Sequence, residues 1–350
     1  MKNVNQEKLA NALNLSKATI SRCFTNHPGI NPATRARVFE LASQMGYRHR
    51  TTRVLNSRRS SADYQVGVLI CTDDEEYYRS DYESPGRRLL KGISECSQVE
   101  GINISVHFLN PSILSPSENQ YVELFNKVGR SWNGLLLLYP FPDALLSDLG
   151  HRFPIVSLVE QSGVSRLNCV DVDHYQGISL AISHLYELGH RRIAFYTKPY
   201  QVEASWSLRR AGAYFEKLTQ LGLEIRQEDM INMHPKNLVS LEASFDKAVQ
   251  SISNGVTAII CAADHQAYDL IRGLEARGVS VPEDVSVMGF DGIKSPAGMP
   301  ELSTVEIPYH DIGYTATKRL KDLMNRRFGP IQHILLSCQN KVGTTTSSIL

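Results

Sequence analysis

Hydrophobic and polar positions at the start of the chain follow the spacing of three short helices. The first helix is predicted over Gln6–Leu13, and Asn14 follows it at a tight turn, where left-handed backbone geometry must be tolerated. Ser16 can cap the second helix by accepting a hydrogen bond from one of its free N–H groups. The third helix follows the segment HPGINPATR, and Gly46 ends it. Helix, tight turn and helix in this order form the motif that places its second helix in the major groove of DNA.

The second of these helices has two chemically different faces. Its predicted inward residues are Leu15, Ile20 and Phe24, and those of the third helix are Val38, Leu41, Ala42 and Met45. The opposite face of the second helix carries Lys17, Ala18, Ser21 and Arg22. Arginine can donate two parallel hydrogen bonds to a guanine edge, and hydroxyl groups suit phosphate oxygens. The alternative interpretation is an ordinary solvated helix face.

From residue 64 onward the pattern becomes one of alternating strands and helices. The predicted strands are QVGVLIC, NISVHFL, NGLLLLYP, PIVSLVE, RRIAFYT, VTAIICAAD and DVSVMGFD. The helical stripes between them are Leu89, Leu90, Ile93 and Cys96; Ile178, Ala181, Ile182, Leu185 and Leu188; and Leu208, Ala211, Phe215 and Leu218. This alternation predicts parallel sheets with helices on both faces. The length suits two lobes, and ligands in such sheets lie beyond the carboxyl ends of the strands.

The distribution of charge separates the first part of the chain from the rest. Residues 1–60 hold eleven Lys and Arg against two Asp and Glu, a net charge of +9. The other 290 residues hold 26 against 34, a net charge of −8. The connecting segment, 49–63, is basic, rich in Ser and poor in apolar residues, which is typical of a linker. A basic module that binds a polyanion therefore precedes a mildly acidic body.

Composition and motifs exclude several other classes of protein. With 350 residues the chain is long enough for two or three domains, and no apolar run approaches the roughly 18 residues of a membrane span. The N-terminus lacks an apolar signal core, so we expect a cytoplasmic location and no membrane partner. The six cysteines show no C-x-x-C spacing, and the common nucleophile, phosphate-loop, dinucleotide and zinc-protease motifs are absent. We predict neither an enzyme nor a bound cofactor or metal.

Four segments, taken in order, resemble the LacI/GalR family of transcriptional repressors. They are SKATISR, PATRARVFELASQMGY, VDVDHYQGISLAISHLYELGHRRIAF and VPEDVSVMGFDG. The resemblance implies an all-α helix-turn-helix headpiece (1–48), a hinge (49–63) and an α/β two-lobed core like that of periplasmic binding proteins (64–350). It places lobe 1 at about 64–173 plus 303–325 and lobe 2 at about 174–302 plus 326–350. It also implies a homodimer on a near-palindromic double-stranded DNA operator, with a small effector, expected to be a carbohydrate, bound between the lobes.

The same resemblance assigns the DNA-binding residues. Base-reading candidates are Ser16, Lys17, Ala18 and Arg22, and the residues that support the headpiece or contact phosphates are Thr19, Ser21, Thr34 and Arg35. The hinge departs from the family pattern, because RHRTTRVLN follows Tyr47 and the usual Pro-Asn is missing. Leu55 is one position early for insertion into the minor groove, and Arg50 or Arg53 can hold the groove or backbone instead.

Effector-binding candidates are assigned in the same way. Arg209, three residues before Gly212, matches the arginine that grips the sugar, and Asp291 matches the acid that accepts a hydroxyl group. Asp173, after the fourth predicted strand, and Asp264, after the run CAA, are placed at the cleft. A missing family aromatic residue can be replaced by Tyr77, Tyr78 or Tyr82, of which Tyr82 is the candidate for the site. Trp206, one turn before Arg209, stacks on the ligand or packs within the lobe. Structural alternatives are a surface Arg209 paired to a carboxylate and an Asp291 that caps a turn.

Two other functions remain to be weighed. A transport-type sugar-binding protein would share the core, but it needs a signal peptide and has no use for a +9 headpiece. An enzyme on an α/β scaffold would need one of the motifs that are missing. The absence of a heptad run near residue 350 favours a dimer over a tetramer.

Overall fold

The computed structural model describes most of the chain. The described residues are 5–24, 27, 29–45, 47, 64–72, 84–113, 115–162, 167–198, 205–232, 239–325 and 330–349. The predicted hinge and Tyr82 lie outside them. Among the described residues no helix is long and apolar enough to cross a membrane. The six cysteines are buried thiols.

The first three helices form a small cluster of their own. They are α1 (Gln6–Leu13), α2 (Lys17–Phe24) and α3 (Pro32–Gln44). Asn14 adopts the predicted left-handed conformation, with φ 53° and ψ 45°. The helices enclose Leu9, Ile20, Cys23, Val38 and Ala42, against which the half-buried Leu15, Phe24, Leu41 and Met45 pack. The predicted inner faces of α2 and α3 are therefore confirmed.

The rest of the described chain forms two six-stranded sheets with helices between the strands. The strands are β1 (Tyr64–Cys71), β2 (Ile102–Leu109), β3 (Gly134–Leu138), β4 (Ile155–Leu158), β5 (Asn168–Val172), β6 (Ile193–Tyr196), β7 (Met230–Ile231), β8 (Ala258–Cys261), β9 (Ser286–Asp291), β10 (Ser303–Glu306), β11 (His333–Leu336) and β12 (Gln339–Lys341). The helices are α4 (Pro85–Glu100), α5 (Asn119–Lys127), α6 (Asp143–Arg152), α7 (His174–Glu187), α8 (Ser205–Gln220), α9 (Leu241–Ser253), α10 (Asp264–Glu275) and α11 (Tyr309–Met324), with short 3-10 turns at Gly129–Ser131 and Gln227–Asp229.

Each sheet has its own strand order and belongs to its own compact unit. The first sheet has the order β11-β5-β4-β3-β1-β2, and the second has the order β12-β10-β9-β8-β6-β7. The pairs that join β1 to β5, and those that join β6 to β10, are parallel, whereas β12 runs antiparallel to β10. Near-continuous burial of these strands reflects helices on both faces. The predicted α/β class with parallel sheets is confirmed.

The boundaries of the two units differ from the predicted lobe boundaries. The first unit includes 85–171 and 309–334, and the second includes 172–308 and 335–350. The segment that was expected to enter lobe 1 at residue 303 instead forms β10, which pairs with β9 in the second sheet. After β10 the chain therefore returns to the first unit only at α11.

Two local predictions also need correction. The segment NCVDV forms β5, so Asp173 follows a fifth strand rather than the fourth. In α8 the predicted stripe contained Leu208 and Phe215, but these side chains are 50% and 36% exposed. The buried face of α8 consists of Arg210, Ala211, Ala213, Tyr214 and Leu218. Arg210 lies on this buried face although the predicted stripe did not include position 210.

Candidate nucleic-acid interface and ligand site

The exposed face of α2 carries polar groups, and the opposite face of the helix is buried. Ser16 caps the helix as predicted, because its Oγ accepts a hydrogen bond from the Thr19 backbone N–H at 3.0 Å and lies 2.8 Å from Thr19 Oγ1. The side chains of Lys17, Ala18 and Arg22 are exposed. Because Ile20 and Cys23 are fully buried on the other side, these three cannot turn inward. A short helix with this exposed face can enter a major groove and donate hydrogen bonds to base edges.

The first turn of α3 supports α2. Asn31 Oδ1 accepts a hydrogen bond from the Ala33 backbone N–H at 2.8 Å, and Thr34 is half-buried in the first turn. Arg35 is only 1% exposed, and its Nη2 donates to the backbone oxygen of His27 at 2.7 Å. Burial lowers the pKa of Arg35. Of the two roles expected for Arg35, the contacts favour support of the headpiece over contact with a phosphate.

Arg50, Arg53 and Leu55 of the hinge, and Tyr82 of the core, lie outside the described residues. Ser21, which is half-buried, and Thr19 belong to α2 and flank its exposed face.

A cluster of charged and aromatic side chains lies at the carboxyl edge of the second sheet. Asp173 caps α7, since its Oδ1 accepts from the Gln176 backbone N–H at 2.9 Å. Asp291 ends β9 with a φ of 151°, a sparsely populated conformation for a residue that has a side chain. Its Oδ2 accepts from the backbone N–H of Asp264 at 3.2 Å. Strained backbone of this kind concentrates at functional sites, and the edge is the place where parallel sheets bind ligands.

Asp264 belongs to the interior of this cluster. It begins α10, is 0% exposed, and accepts hydrogen bonds from Ile293 N at 2.8 Å and from Thr304 Oγ1 at 2.5 Å. Burial, and then repulsion from Asp291, raise the pKa of Asp264 to about 7. The carboxylate oxygens of Asp264 connect the start of α10 to the loop after β9 and to β10 by hydrogen bonds. The geometry favours a supporting role for this carboxylate.

The arginine at the centre of the cluster is Arg210, which the sequence did not single out. Its guanidinium lies between two rings, 3.9 Å from the centroid of Phe290 and 4.6 Å from that of Trp206. Nε donates to His174 Nδ1 at 3.3 Å, Nη1 donates to the backbone oxygen of Ala262, and Nη1 lies 3.7 Å from Asp291 Oδ1. The side chain is 5% exposed. Arg210 therefore connects α8 with α7 and with the ends of β8 and β9.

Arg209, the predicted ligand arginine, is exposed on the same helix. Trp206 is half-buried, and its ring faces the Arg210 guanidinium. The sequence did contain a signal for this arrangement. Arg210, Tyr214 and Leu218 are spaced at four-residue intervals, so one face of α8 holds all three. A charged residue on a buried stripe indicates a partner, and here the partner is a carboxylate.

Buried polar groups also lie at the carboxyl edge of the first sheet. Tyr139 and Val159, directly after β3 and β4, have left-handed φ values of 71° and 56°. Gln161 Nε2 donates to Asp171 Oδ2 at 3.0 Å, and both residues are buried. Among the described residues no group of three or more His, Cys, Asp or Glu side chains could hold a metal ion.

Comparisons with known proteins agree with this architecture. The profile of the family described as "Periplasmic binding protein-like domain" matches residues 182–346. Catabolite control protein A of Priestia megaterium is 27% identical over 338 residues, which cover 93% of this chain and 93% of that protein. The HTH-type transcriptional repressor PurR of Erwinia tasmaniensis is 25% identical over 324 residues, which cover 90% of this chain and 88% of that repressor. The solved complex of the transcriptional regulator CelR with cellobiose has a TM-score of 0.68 at 22% identity, covering 98% of this chain and 99% of that one, and thus shares its fold.

Proposed function

Because this chain belongs to the LacI/GalR family of transcriptional regulators, we propose that it represses transcription by binding a near-palindromic DNA operator as a homodimer. A small molecule at the second sheet changes the operator affinity. The relatives are regulators of transcription rather than enzymes, and the motifs of the alternative functions are missing from this chain. As a regulator of transcription it acts in the cytoplasm.

The observation that carries the DNA-binding function is the exposed face of α2. Lys17, Ala18 and Arg22 project from a helix whose other face is buried, on a module with a net charge of +9. The charge attracts the phosphate backbone whatever the sequence, and Lys17 and Arg22 supply hydrogen-bond donors for base edges. In the proposed complex Ser16, Thr19, Ser21 and Thr34 hold the register against phosphates, and Arg35 keeps α3 in place.

The second sheet supplies the site for the effector. Asp291 offers a carboxylate that accepts hydroxyl hydrogens, and Arg209 offers an exposed guanidinium that donates to hydroxyl oxygens. Asp173 and Asp264 shape the two helix starts beside it, and Trp206 and Arg210 form its aromatic and cationic wall. A polyhydroxylated metabolite, which both donates and accepts hydrogen bonds, suits this set. The related CelR, seen with cellobiose, supports a carbohydrate.

A titration of the full chain against duplex DNA tests the first part of the proposal. We expect log affinity to fall linearly with log salt concentration, with a slope of about −0.9 for each phosphate neutralised. Competition between a random-sequence library and one selected duplex then measures specificity. Absence of binding at low ionic strength would refute the function.

A thermal-shift screen with sugars, sugar acids and nucleosides tests the second part. A ligand that binds only the folded state raises the midpoint of unfolding, by an amount set by about RT ln(1 + [L]/Kd). The same ligand should change operator affinity, and Arg209→Met should abolish both effects. A response that survives in this variant would remove Arg209 from the site.

A further inference from the structure

The third helix of the headpiece is buried on two faces. Val38 and Ala42 belong to the apolar cluster of the headpiece itself. Ala36 and Glu40, one turn apart on another face of α3, are also buried, at 6% exposure each. In this region α3 packs against α4 and β2, the first helix and the second strand of the core. The headpiece therefore has a contact surface for the core in addition to its own interior.

An ion pair fixes this contact. Arg87 Nε, near the start of α4, donates to Glu40 Oε1 at 2.9 Å. The Glu40 side chain is 8% exposed, and that of Arg87 is 43% exposed. Glu40 is one of only two acidic residues among residues 1–60, and the other, Glu7, is exposed in the first turn of α1. A buried carboxylate in a strongly basic module is costly to desolvate unless it has a partner, and the core provides one.

The contact leaves the DNA-reading face open. Lys17, Ala18 and Arg22 on α2 are exposed while α3 lies on the core. We infer that α3 and α4 form a docking interface, held by Glu40 and Arg87, that orients the headpiece on the core with its reading face outward.

This inference rests on the proposed function for its consequence in DNA binding. A headpiece that moves freely on a linker loses orientational freedom when it binds, whereas a docked headpiece has already lost it. Docking thus raises the effective concentration of the second headpiece at the second half-site.

The direction in which one charge change shifts the DNA affinity distinguishes docking from simple electrostatic attraction. Glu40→Gln removes a negative charge from the headpiece, so charge alone predicts tighter binding to DNA. Docking predicts the opposite, a loss of roughly fivefold, which corresponds to a well-placed ion pair. Glu7→Gln makes the same change of charge at an exposed position outside the interface, and this matched control should bind as tightly as the wild type or more tightly.

The measurement uses the full chain and a duplex selected from a random-sequence library for tight binding, which contains both half-sites, at low ionic strength. Arg87→Gln should weaken binding as Glu40→Gln does, although it lies outside the headpiece. The charge swap Glu40→Arg with Arg87→Glu keeps the net charge of the wild type and should restore affinity. A Glu40→Gln variant that binds as tightly as Glu7→Gln would overturn the inference.

Hydrogen–deuterium exchange of the DNA-free chain provides a readout that does not involve DNA. Glu40→Gln and Arg87→Gln should speed exchange in Pro85–Glu100, whereas Glu7→Gln should not. Unchanged exchange in this helix for both variants would show that the interface does not exist. If the wild type binds no duplex at all, the proposed function fails, and the exchange rates still decide whether the headpiece docks.

Discussion

Arg22 lies in the last turn of α2 with its side chain exposed, where an arginine can pair with a guanine edge. We expect Arg22→Ala to weaken binding to the cognate operator by about 1–3 kcal/mol and to relax the preference at one base pair. Site selection from a random library, followed by titration, measures both. Arg37→Ala, at an exposed position of α3, is the control and should weaken all sequences uniformly. An unchanged base preference in the Arg22 variant would contradict the assignment.

Arg210 is held by two aromatic rings, a histidine, a backbone oxygen and a carboxylate. Arg210→Met keeps an unbranched side chain but leaves Asp291 without its cation. We expect the free energy of unfolding to fall by about 3–5 kcal/mol, as when one partner of a buried pair is removed. Arg209→Met, the same change at the adjacent exposed position, should lie within about 0.5 kcal/mol of the wild type. Urea denaturation measures both, and equal effects would refute the distinction.

The pKa of Asp264, raised by burial and by Asp291 from 3.8 to about 7, makes stability depend on pH. The folded state holds this proton more tightly than the unfolded state does. The contribution of Asp264 is therefore most favourable below about pH 4 and is lost as the pH rises to about 7. We expect the unfolding free energy of the wild type, relative to Asp264→Asn, to decrease across this window by at most about 1.4 kcal/mol per pH unit. Urea titrations at several pH values test this, and a difference that stays level or increases would contradict it.

The buried and exposed faces of the headpiece helices could be predicted from sequence more fully than the contacts of the proposed ligand site. Periodicity over one short helix decides whether Ile20 or Arg22 faces inward, because the surrounding contacts are local. In the core, Arg210 and Asp291 are 81 positions apart in sequence, and only the fold brings them together. The family resemblance selected the neighbouring residue, Arg209, and periodicity placed neither arginine on the buried stripe. Only the carboxylate at the end of β9 explains why Arg210 is the buried one.

At the scale of elements, the helices α4 and α11 of the first unit approach each other closely at two glycines. A Cβ on Gly92 would lie 1.9 Å from the backbone oxygen of His310, and one on Gly313 would lie 2.2 Å from that of Leu89. The opposing atoms are backbone and cannot move aside. We expect Gly92→Ala to destabilise the chain by at least about 1–3 kcal/mol, the usual range for overpacking.

Gly212 of α8 offers the matched control, since a Cβ there meets nothing within 4 Å. Gly212→Ala should stabilise the chain by about 0.4–1 kcal/mol, because alanine has less backbone freedom to lose in the unfolded state. Thermal unfolding of the two variants gives the comparison. A Gly92→Ala variant as stable as Gly212→Ala would show that the two helices can separate without loss.

The strands and helices could be predicted from the sequence wherever their burial pattern was regular. Fully buried strands such as β1 and β3 appear as continuous apolar runs. Short edge strands do not, because β7 has two residues and β12 exposes two of its three side chains. The boundary between the two units at Tyr309 could not be predicted either. The position of β10 depends on its pairing with β9 and not on its own composition. The α8 stripe failed because exposed Leu208 and Phe215 match a helical period as well as buried residues do.

At the scale of the whole molecule, the two headpieces of the proposed dimer must meet two half-sites on one side of the duplex. Inserting about 5 base pairs between the half-sites turns one of them to the opposite side of the helix. If the headpieces are docked on their cores, the second headpiece cannot reach the half-site that has turned away. The affinity that its high effective concentration provided is then lost. We expect affinity to fall by about 100-fold or more, the low end of the range for bivalent binding.

Insertion of a full turn restores the phase of the half-sites and is the control for this experiment. Competition titrations of the full chain on three duplexes, native, half-turn and full-turn, measure the phase dependence. Because a full turn also moves the half-sites about 34 Å further apart, docked headpieces should not span both of them, and the affinity should stay low. Headpieces on free linkers should instead regain part of the affinity. Equal affinity for all three duplexes would mean that each headpiece binds on its own. That result would contradict both the paired engagement of an operator and the docking of α3 on α4.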